Sequence, residues 1–295
     1  MHTEVSYIEI DASDGQRVDN FLFRHLSNIP KSHIYRILRK GEVRVNKGRV
    51  KPTYKLKDGD ILRVPPLDRA QKPLKIIESG GVKLEAIYED EHYIVVNKPS
   101  GLAVHGGIGT NLGLIEVARN LWSRSLELVH RLDKDTSGCL LLAKNRQVLR
   151  KLHELFRERT VTKHYHAILR GYCNDKFIVN AKLQRKLSVN GERMVSVHPE
   201  GQSARTEFEV IERLRQASLV LAKPITGRTH QIRVHADSLG HPILGDIKYG
   251  RNNKASRLCL HARQLMFECP ITNQLISVIA DYDEHMQNIL TSLQR

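Results

Sequence analysis

Residues 126–143 read Leu126-Glu127-Leu128-Val129-His130-Arg131-Leu132-Asp133-Lys134-Asp135-Thr136-Ser137-Gly138-Cys139-Leu140-Leu141-Leu142-Ala143. Apolar runs at both ends predict two short strands, and the largely polar segment His130 to Gly138 must connect them. Strands on both sides would hold that segment rigidly at a sheet margin, where reactive groups are commonly presented. It carries the acids Asp133 and Asp135, the bases His130, Arg131 and Lys134, two hydroxyls and a closing glycine. Such a composition also suits a structural turn whose Asp and Ser side chains cap backbone amides. Spacing alone neither chooses between these readings nor separates Asp133 from Asp135.

Upstream, Ala86 to Pro99 predicts two short strands flanking the acidic turn Glu89-Asp90-Glu91, the second ending at Lys98-Pro99-Ser100-Gly101. Gly106-Gly107-Ile108-Gly109-Thr110 is glycine-rich but does not complete GxGxxG, and no Walker lysine follows. It reads as a loop near substrate. Downstream, Val148, Leu149, Leu152, Leu155 and Phe156 fall at helical spacing, with Arg146, Arg150, Lys151, Arg157 and Arg159 forming a basic outer face. Lys163 to Leu169 predicts a strand with Tyr165, Ala167 and Leu169 on one face. A lone strand tyrosine is commonly a core residue.

A third polar cluster runs from Thr226 through Gly227, Arg228, Thr229, His230, Gln231 and Arg233 to His235. Thr229 is the expected cap of a helix carrying Ile232, Ala236 and Leu239 inward, ended by Gly240 and Pro242. So many hydrogen-bonding side chains exceed what a cap needs. They predict a polar site in which a guanidinium orients a carboxylate.

The N-terminal part predicts a separate small domain over residues 15–65. Val18, Phe21, Leu22 and Leu26 give one helix; Ser32 caps a second through Ile34, Tyr35, Ile37 and Leu38 to Gly41. Val43-Arg44-Val45-Asn46 and Ile61-Leu62-Arg63-Val64 read as strands, with turns at Lys47-Gly48 and Asp58-Gly59-Asp60. From Ile29 to Lys57 the bases Lys31, Arg36, Arg39, Lys40, Arg44, Lys47, Arg49, Lys51, Lys55 and Lys57 face one acid, Glu42. That imbalance is the footprint of phosphate contacts, because a solvated helix face normally mixes both signs. Proline-bearing residues 66–81 read as a linker, leaving 82–295 as the second domain.

Composition agrees. Lys plus Arg total 47 against 32 Asp plus Glu, a formal charge of +15, which points to a polyanionic partner. With 295 residues, 40% of them hydrophobic, the chain can bury a full core without staples. Cys139, Cys173, Cys259 and Cys269 form no CxxC pair, so reduced thiols, no zinc site and a cytoplasmic location are expected. No apolar run of about 18 residues offers a membrane span, and Met1 to Val5 lacks a signal-peptide layout. A kinase reading fails because Leu132 separates His130-Arg131 from Asp133 and no Asp-Phe-Gly follows.

Gln16 to Leu22, Ser32 to Gly41, Val43 to Asn46 and Asp58-Gly59-Asp60 resemble the S4 RNA-binding domain, a module that supports RNA binding without naming a reaction. The remainder resembles the RluA-type pseudouridine synthases. The motifs, in chain order, are Tyr88 to Glu91, Asn97 to Gly101, His130 to Asp133 with Thr136-Ser137-Gly138, Lys163-His164-Tyr165, Thr226 to His235, Gly240 to Ile243, and Leu260-His261-Ala262. That resemblance implies an α+β fold: a small N-terminal S4 domain and a synthase domain with a long, mainly antiparallel mixed sheet, flanked by helices and loops, carrying the cleft across its middle.

The resemblance implies that Asp133 is the catalytic aspartate, Tyr165 packs against the target base, and Arg233 pairs with Asp133. It makes Arg131 the residue that fills the space left by an extruded nucleotide, and Leu260 the apolar pocket wall. His130, Arg228 and His230, with Lys31, Arg36, Arg39, Lys40 and Arg44 of the first domain, are the expected RNA contacts. The implied activity is isomerisation of specific uridines to pseudouridine at several sites of the 23S RNA of the large ribosomal subunit, by a monomer without cofactor or metal. Cleaving the N1–C1′ bond builds oxocarbenium-like charge that a carboxylate stabilises or captures, and a guanidinium beside it favours the charged form. Whether the aspartate attacks the sugar, the base, or supports a glycal stays open. A non-catalytic S4 assembly protein and an RNA glycosidase or nuclease are the competing readings. The first predicts that Asp133, Tyr165 and Arg233 do not converge; the second predicts a change in RNA mass.

Overall fold

The computed structural model describes residues 5–11, 15–26, 31–65, 75–79, 82–106, 113–122, 125–187, 193–250 and 257–294. The chain divides into two compact units: Met1–Lys72 with Thr272–Ser277, and Pro73–Ile271 with Val278–Arg295.

In the first unit β1 (Ser6–Glu9), α1 (Val18–His25), α2 (Lys31–Lys40), β2 (Arg44–Val45), β3 (Gly48–Arg49) and β4 (Ile61–Val64) follow in order. The sheet order is β1-β4-β2-β3. Val18, Leu22 and Leu26 recur every four residues and so share one side of α1. They pack with Ile34, Ile37 and Leu38 of α2 and with Leu62 and Val64 of β4. Two buried acids staple this small core. Asp19 accepts from Arg17 at 2.6 and 3.1 Å, from the Asn20 N–H at 2.8 Å and from Tyr35 at 3.3 Å. Burial works to raise the Asp60 carboxyl, but hydrogen bonds from the Lys57 N–H, Asn46 and Tyr54 outweigh it and hold the group below its ordinary value.

Three expectations for this unit change. Ser32 lies inside α2, which starts at Lys31. The β2–β3 turn is Asn46-Lys47, both with positive φ (48° and 69°), a geometry that matches the strand twist of a two-residue hairpin. Ser6–Glu9 belongs here too, because β1 pairs antiparallel with β4, so the unit begins before residue 15.

The second unit opens with β5 (Lys75–Ser79), β6 (Val82–Glu89), β7 (Tyr93–Lys98), α3 (Leu114–Trp122), β8 (Glu127–Leu128), β9 (Ser137–Ala143) and α4 (Arg146–Glu158). It continues with β10 (Thr162–Arg170), β11 (Lys176–Asn180), β12 (Leu183–Leu187), β13 (Arg193–Val197), β14 (Arg205–Leu214), β15 (Ala217–Pro224), α5 (Gln231–Ser238), β16 (Leu260–Glu268) and α6 (Glu284–Gln294), while β17 (Leu275–Ile279) is divided between the two units. Among the described residues the large sheet runs β11-β14-β15-β10-β16-β9-β7-β6-β5, and β12-β13 stands apart as a hairpin. The residues expected as linker therefore include a strand: β5 pairs with β6 from Lys75↔Ala86 to Ser79↔Val82, because its backbone groups complete the sheet edge. Residues 66–74, 80–81 and 107–110 lie outside the described residues.

The pairing of β16 with β9 is parallel, and it joins two antiparallel halves. Each half has its own core. One gathers Ala167, Leu169, Phe208, Val220 and Ile243; the other gathers Leu84, Ile94, Val96, Leu140, Leu142 and Trp122. Tyr165 packs against both. At the seam Gly138 has φ +107°, and a Cβ there would meet the Ala262 carbonyl oxygen at 2.3 Å. Only glycine lets the strands approach this closely. All of β9 is buried, as its unbroken apolar run requires of a strand covered on both faces.

Candidate active site

The segment His130 to Gly138 sits where β9 enters the seam, and buried groups clamp it from three sides. Lys98, fully buried, donates to the carbonyls of Pro99 at 2.9 Å, Leu102 at 2.7 Å and Lys134 at 2.8 Å, using all three of its N–H donors. Burial pushes its ammonium down to about 7, against the pull of Asp135 and Asp133. The Gly101 N–H donates to the Lys134 carbonyl at 2.9 Å and Ser100 Oγ to the Asp135 carbonyl at 2.8 Å. Lys98-Pro99-Ser100-Gly101 is thus the cradle of the loop. At the far end Ser137 Oγ meets Nδ1 of buried His261 at 2.9 Å.

Fixed this way, Asp133 remains partly exposed and faces two nitrogenous groups. Arg233 Nη1 lies 3.6 Å and His230 Nε2 3.7 Å from its Oδ2. Both distances exceed a hydrogen bond, so the carboxylate keeps its lone pairs for an incoming group while feeling the guanidinium's charge. Arg233 is held elsewhere: its Nε and Nη2 each donate to Asp246 at 2.8 Å, a planar two-point grip on a carboxylate that is itself buried. The guanidinium also lies 5.0 Å over the Tyr249 ring. Asp246 is further fixed by the N–H groups of Lys248 and Tyr249, at 3.0 and 3.1 Å.

His230 reaches Asp133 from an unusual backbone. It precedes α5 in the left-handed region (φ 54°), a conformation costing about 1 kcal/mol that persists because its surroundings fix it. Its Nδ1 is 2.6 Å from the Tyr249 hydroxyl, which already accepts from the Val195 N–H at 3.1 Å. Burial raises the Tyr249 phenol to about 12 and lowers the His230 imidazole, with Asp133 opposing the latter. The Tyr249 hydroxyl and His230 Nδ1 thus share one hydrogen bond, which holds the ring with Nε2 facing Asp133.

Tyr165 stands opposite. A bulge in β16, where His164 faces Gln264 but Tyr165 faces Ala262, re-aims its ring at the seam. Burial raises its phenol well above the usual range, and the Asp133 charge adds to this, so it presents a neutral ring. Asp133, Tyr165, Arg233, His130, Arg131, Arg228, His230 and Leu260 line one cavity of about 260 Å³, with Phe156 and Lys163 beside them. Leu260 is buried and Arg131 exposed. No group of three or more His, Cys, Asp or Glu among the described residues is placed to hold a metal ion.

Other predicted residues take different parts. His130 accepts a 3.1 Å hydrogen bond from the Leu141 N–H and stacks on Phe156 at 5.0 Å. Burial, with Lys163 adding, pushes it down to about 3. It shapes the cavity wall as a neutral ring. Thr229 does not cap α5; its hydroxyl accepts from Arg185 at 2.8 Å, and His230 occupies the cap without a side-chain bond. Gln231 does the stapling instead, accepting from Thr226 at 2.6 Å and the Arg228 N–H at 3.0 Å and donating to Thr206 and the Arg205 carbonyl, each at 2.9 Å. Leu239 points outward, 45% exposed, because the helix has already turned from the core at Ser238. Asp246 and Tyr249 were not singled out from the sequence, and nothing short of their folded proximity to Arg233 marks them.

In the first unit Arg36, Arg39, Lys40 and Arg44 are exposed, whereas the Lys31 side chain lies outside the described residues. Lys40 is 3.9 Å from Glu42, and Arg44 Nε donates to the Gly41 carbonyl at 3.2 Å.

Comparison with known proteins places the chain in a family. Residues 92–238 match the family model described as RNA pseudouridylate synthase, and residues 16–62 match the S4 domain. The chain is 48% identical to ribosomal large subunit pseudouridine synthase C of Pasteurella multocida, over 95% of this chain and 91% of that protein. It is 46% identical to the protein of the same name from Escherichia coli K12, covering 100% and 99% of the two chains. Among solved structures, human RNA pseudouridylate synthase domain containing 4 superposes with a TM-score of 0.60 at 28% identity, covering 70% of this chain and 92% of that one. With an aspartate, a tyrosine and an arginine gathered at the seam of its sheet, and relatives matching it from end to end, the chain belongs to the RNA pseudouridylate synthase family.

Proposed function

We propose that this protein isomerises specific uridines of large-subunit (23S) ribosomal RNA to pseudouridine, at several sites, with Asp133 as the group that acts on the substrate. The observation that carries the reading is the Asp133 carboxylate, set 3.6 Å from Nη1 of a guanidinium whose Nε and Nη2 are held by Asp246. Such a carboxylate is oriented and charge-balanced but not consumed. Relatives bearing the large-subunit name support the choice of RNA.

In this reading the N1–C1′ bond breaks, the base turns, and C5 bonds to C1′; the proton on C5 leaves and N1 regains one. Atoms and electrons balance without a cofactor. Asp133 stabilises or captures the positive charge developing at C1′. Extruding a nucleotide from folded RNA costs a few kcal/mol. Tyr165 returns part of that as a stacking face and Leu260 as an apolar wall, while Arg131 occupies the vacated stack. Lys163, Arg228 and His230 line the same cavity and would meet phosphate and base edges there. Arg36, Arg39, Lys40, Arg44 and Lys31 contribute phosphate contacts from the S4 domain, and the protein acts as a cytoplasmic monomer. Convergence of Asp133, Tyr165 and Arg233 in one cavity counts against an assembly protein without chemistry.

The test is tritium release from C5-labelled, unmodified large-subunit RNA transcript, with the modified uridines then mapped. Wild-type protein is expected to convert discrete uridines with RNA mass unchanged, and Asp133→Asn to lose about 10³-fold or more in kcat. Full turnover by that variant, or release of free base, would sink the reading.

A further inference from the structure

A second cavity, of about 340 Å³, adjoins the first and shares Gly227, Arg228 and Thr229 with it. Its volume falls within the range of small-ligand sites, about 300–1,000 Å³. The shared wall is thin, since Gly227 has no side chain and even a Cβ there would touch nothing. The opposite wall is the β12–β13 hairpin, which is anchored firmly at its root. Leu183 and Val195 bury against Ala204 and Val234. Leu183 and Gln202 exchange backbone hydrogen bonds at 2.8 and 2.9 Å. Gly201 lies so close that a Cβ would come within 2.6 Å of the Leu183 carbonyl carbon. Arg185 then reaches across to Thr229 at 2.8 Å, tying the hairpin to the loop that carries Arg228 and His230.

The polar lining has a direction. Arg185 and Arg228 are exposed, and among the described residues neither meets a carboxylate within ion-pair distance. Each donates once to a neutral oxygen, Arg185 to Thr229 and Arg228 to the Ser203 carbonyl at 3.2 Å, and keeps further N–H groups for a ligand. Gln184, Gln202 and Glu200 also line the cavity. Two guanidinium groups attract an anion, the carboxylate keeps it on their side, and amides with a carboxylate match the donor and acceptor edge of a base.

We propose that the second cavity receives the RNA nucleotide adjoining the target uridine, with its phosphate between Arg185 and Arg228 and its base edge against Gln184 and Gln202. The inference rests on the isomerase reading above, because a nucleotide flipped into the first cavity brings its covalent neighbour to the shared wall. The hairpin is then part of substrate recognition, and Arg185 is a binding residue outside the reacting group.

Kinetics on unmodified large-subunit RNA transcript, across a salt series, tests this. Arg185→Gln is expected to raise KM about 5- to 20-fold with kcat within about twofold, and to lower the slope of log affinity against log salt by about one. Arg185→Lys, which keeps the charge, should restore the slope. If Arg185 only braces Thr229, Arg185→Gln will instead lower kcat and leave the salt slope unchanged, which overturns the proposal. Direct binding of the same transcript to Asp133→Asn protein, with and without Arg185→Gln, reads the slope independently of turnover. An inactive wild type would thus count against the isomerase reading, while the subsite stands or falls on the slope.

Discussion

The N-terminal unit and the synthase unit use charge in opposite ways. In the first, Arg36, Arg39, Lys40, Arg44, Lys47, Arg49, Lys51, Lys55 and Lys57 are all exposed, and the buried acids Asp19 and Asp60 serve only the small core. Exposed cations facing a polyanion act through summed charge, each releasing counterions and none indispensable. In the second, the charges around the cavity are few and mutually dependent: buried Asp246 grips buried Arg233, and Arg233 faces the partly exposed Asp133. Groups that act as a unit are non-additive, so removing one costs much of the whole. On the proposed function, binding is spread over a surface and chemistry is concentrated in one chain of contacts.

Asp246→Asn should break that contrast most sharply among the residues outside direct chemistry. It replaces a two-point charged grip by a neutral one and leaves the Arg233 charge uncompensated, so kcat is expected to fall about 10²-fold while RNA affinity changes little. Single-turnover kinetics with a parallel binding isotherm measures both; an unchanged kcat would separate Arg233 from the reaction. Thermal unfolding should show a loss of about 3–5 kcal/mol, since a half-broken buried pair is costly.

The complementary change neutralises the exposed surface. A variant carrying Arg36→Gln, Arg39→Gln, Lys40→Gln and Arg44→Gln is expected to bind transcript about 10- to 100-fold more weakly at moderate salt, with its salt slope reduced by up to about 4. Its kcat at saturating RNA should stay within about threefold. A selective loss of kcat would mean that the first unit does more than gather RNA.

A smaller effect comes from pH. Burial, the largest cause in each case, pushes His130 down to about 3 and His166 and His261 down to about 4, against an ordinary value near 6.5. Between those values the unfolded chain binds protons that the native chain refuses, so stability is fully present above about 6.5 and falls as the pH drops toward 4. Each histidine contributes up to about 1.4 kcal/mol per pH unit in that window. All three lie in the synthase unit, as does the single tryptophan, Trp122, which is buried. Tryptophan-detected unfolding between pH 7 and 4.5 should therefore show a falling midpoint, and a flat profile would remove these rings from the stability account.

Much of this architecture was legible in residue order. The strands around Asp133, the acidic turn between β6 and β7, the amphipathic helix α4 and the basic N-terminal segment all follow from period and composition. Element edges were less so. β5 is a strand only because β6 offers it a partner, and Ser32 falls within a helix that its hydroxyl would suit as a cap. Within the site, Lys98-Pro99-Ser100-Gly101 marked the end of a strand, but its use as the cradle of the Asp133 loop comes from contacts 35 and 36 residues away.

The polar cluster from Thr226 to His235 shows the same division. That it was too polar for a simple cap could be read from its residues; which members face the cavity could not. Arg228, His230 and Arg233 line it; Gln231 and Thr226 border it too but staple the loop, and His235, which does not line it, lies 2.9 Å from Thr206. By itself the sequence determined a basic N-terminal unit and short clusters of polar residues, because composition and periodicity are local properties, while the S4 and α+β synthase architecture came from the resemblance of its ordered motifs. Only the tertiary structure decided that Arg233 is gripped by Asp246 while facing Asp133, that Tyr249 holds the His230 ring, and that the hairpin walls a second cavity. Those facts depend on elements distant in sequence meeting in the fold, and no local pattern carries the distance between residues brought together that way.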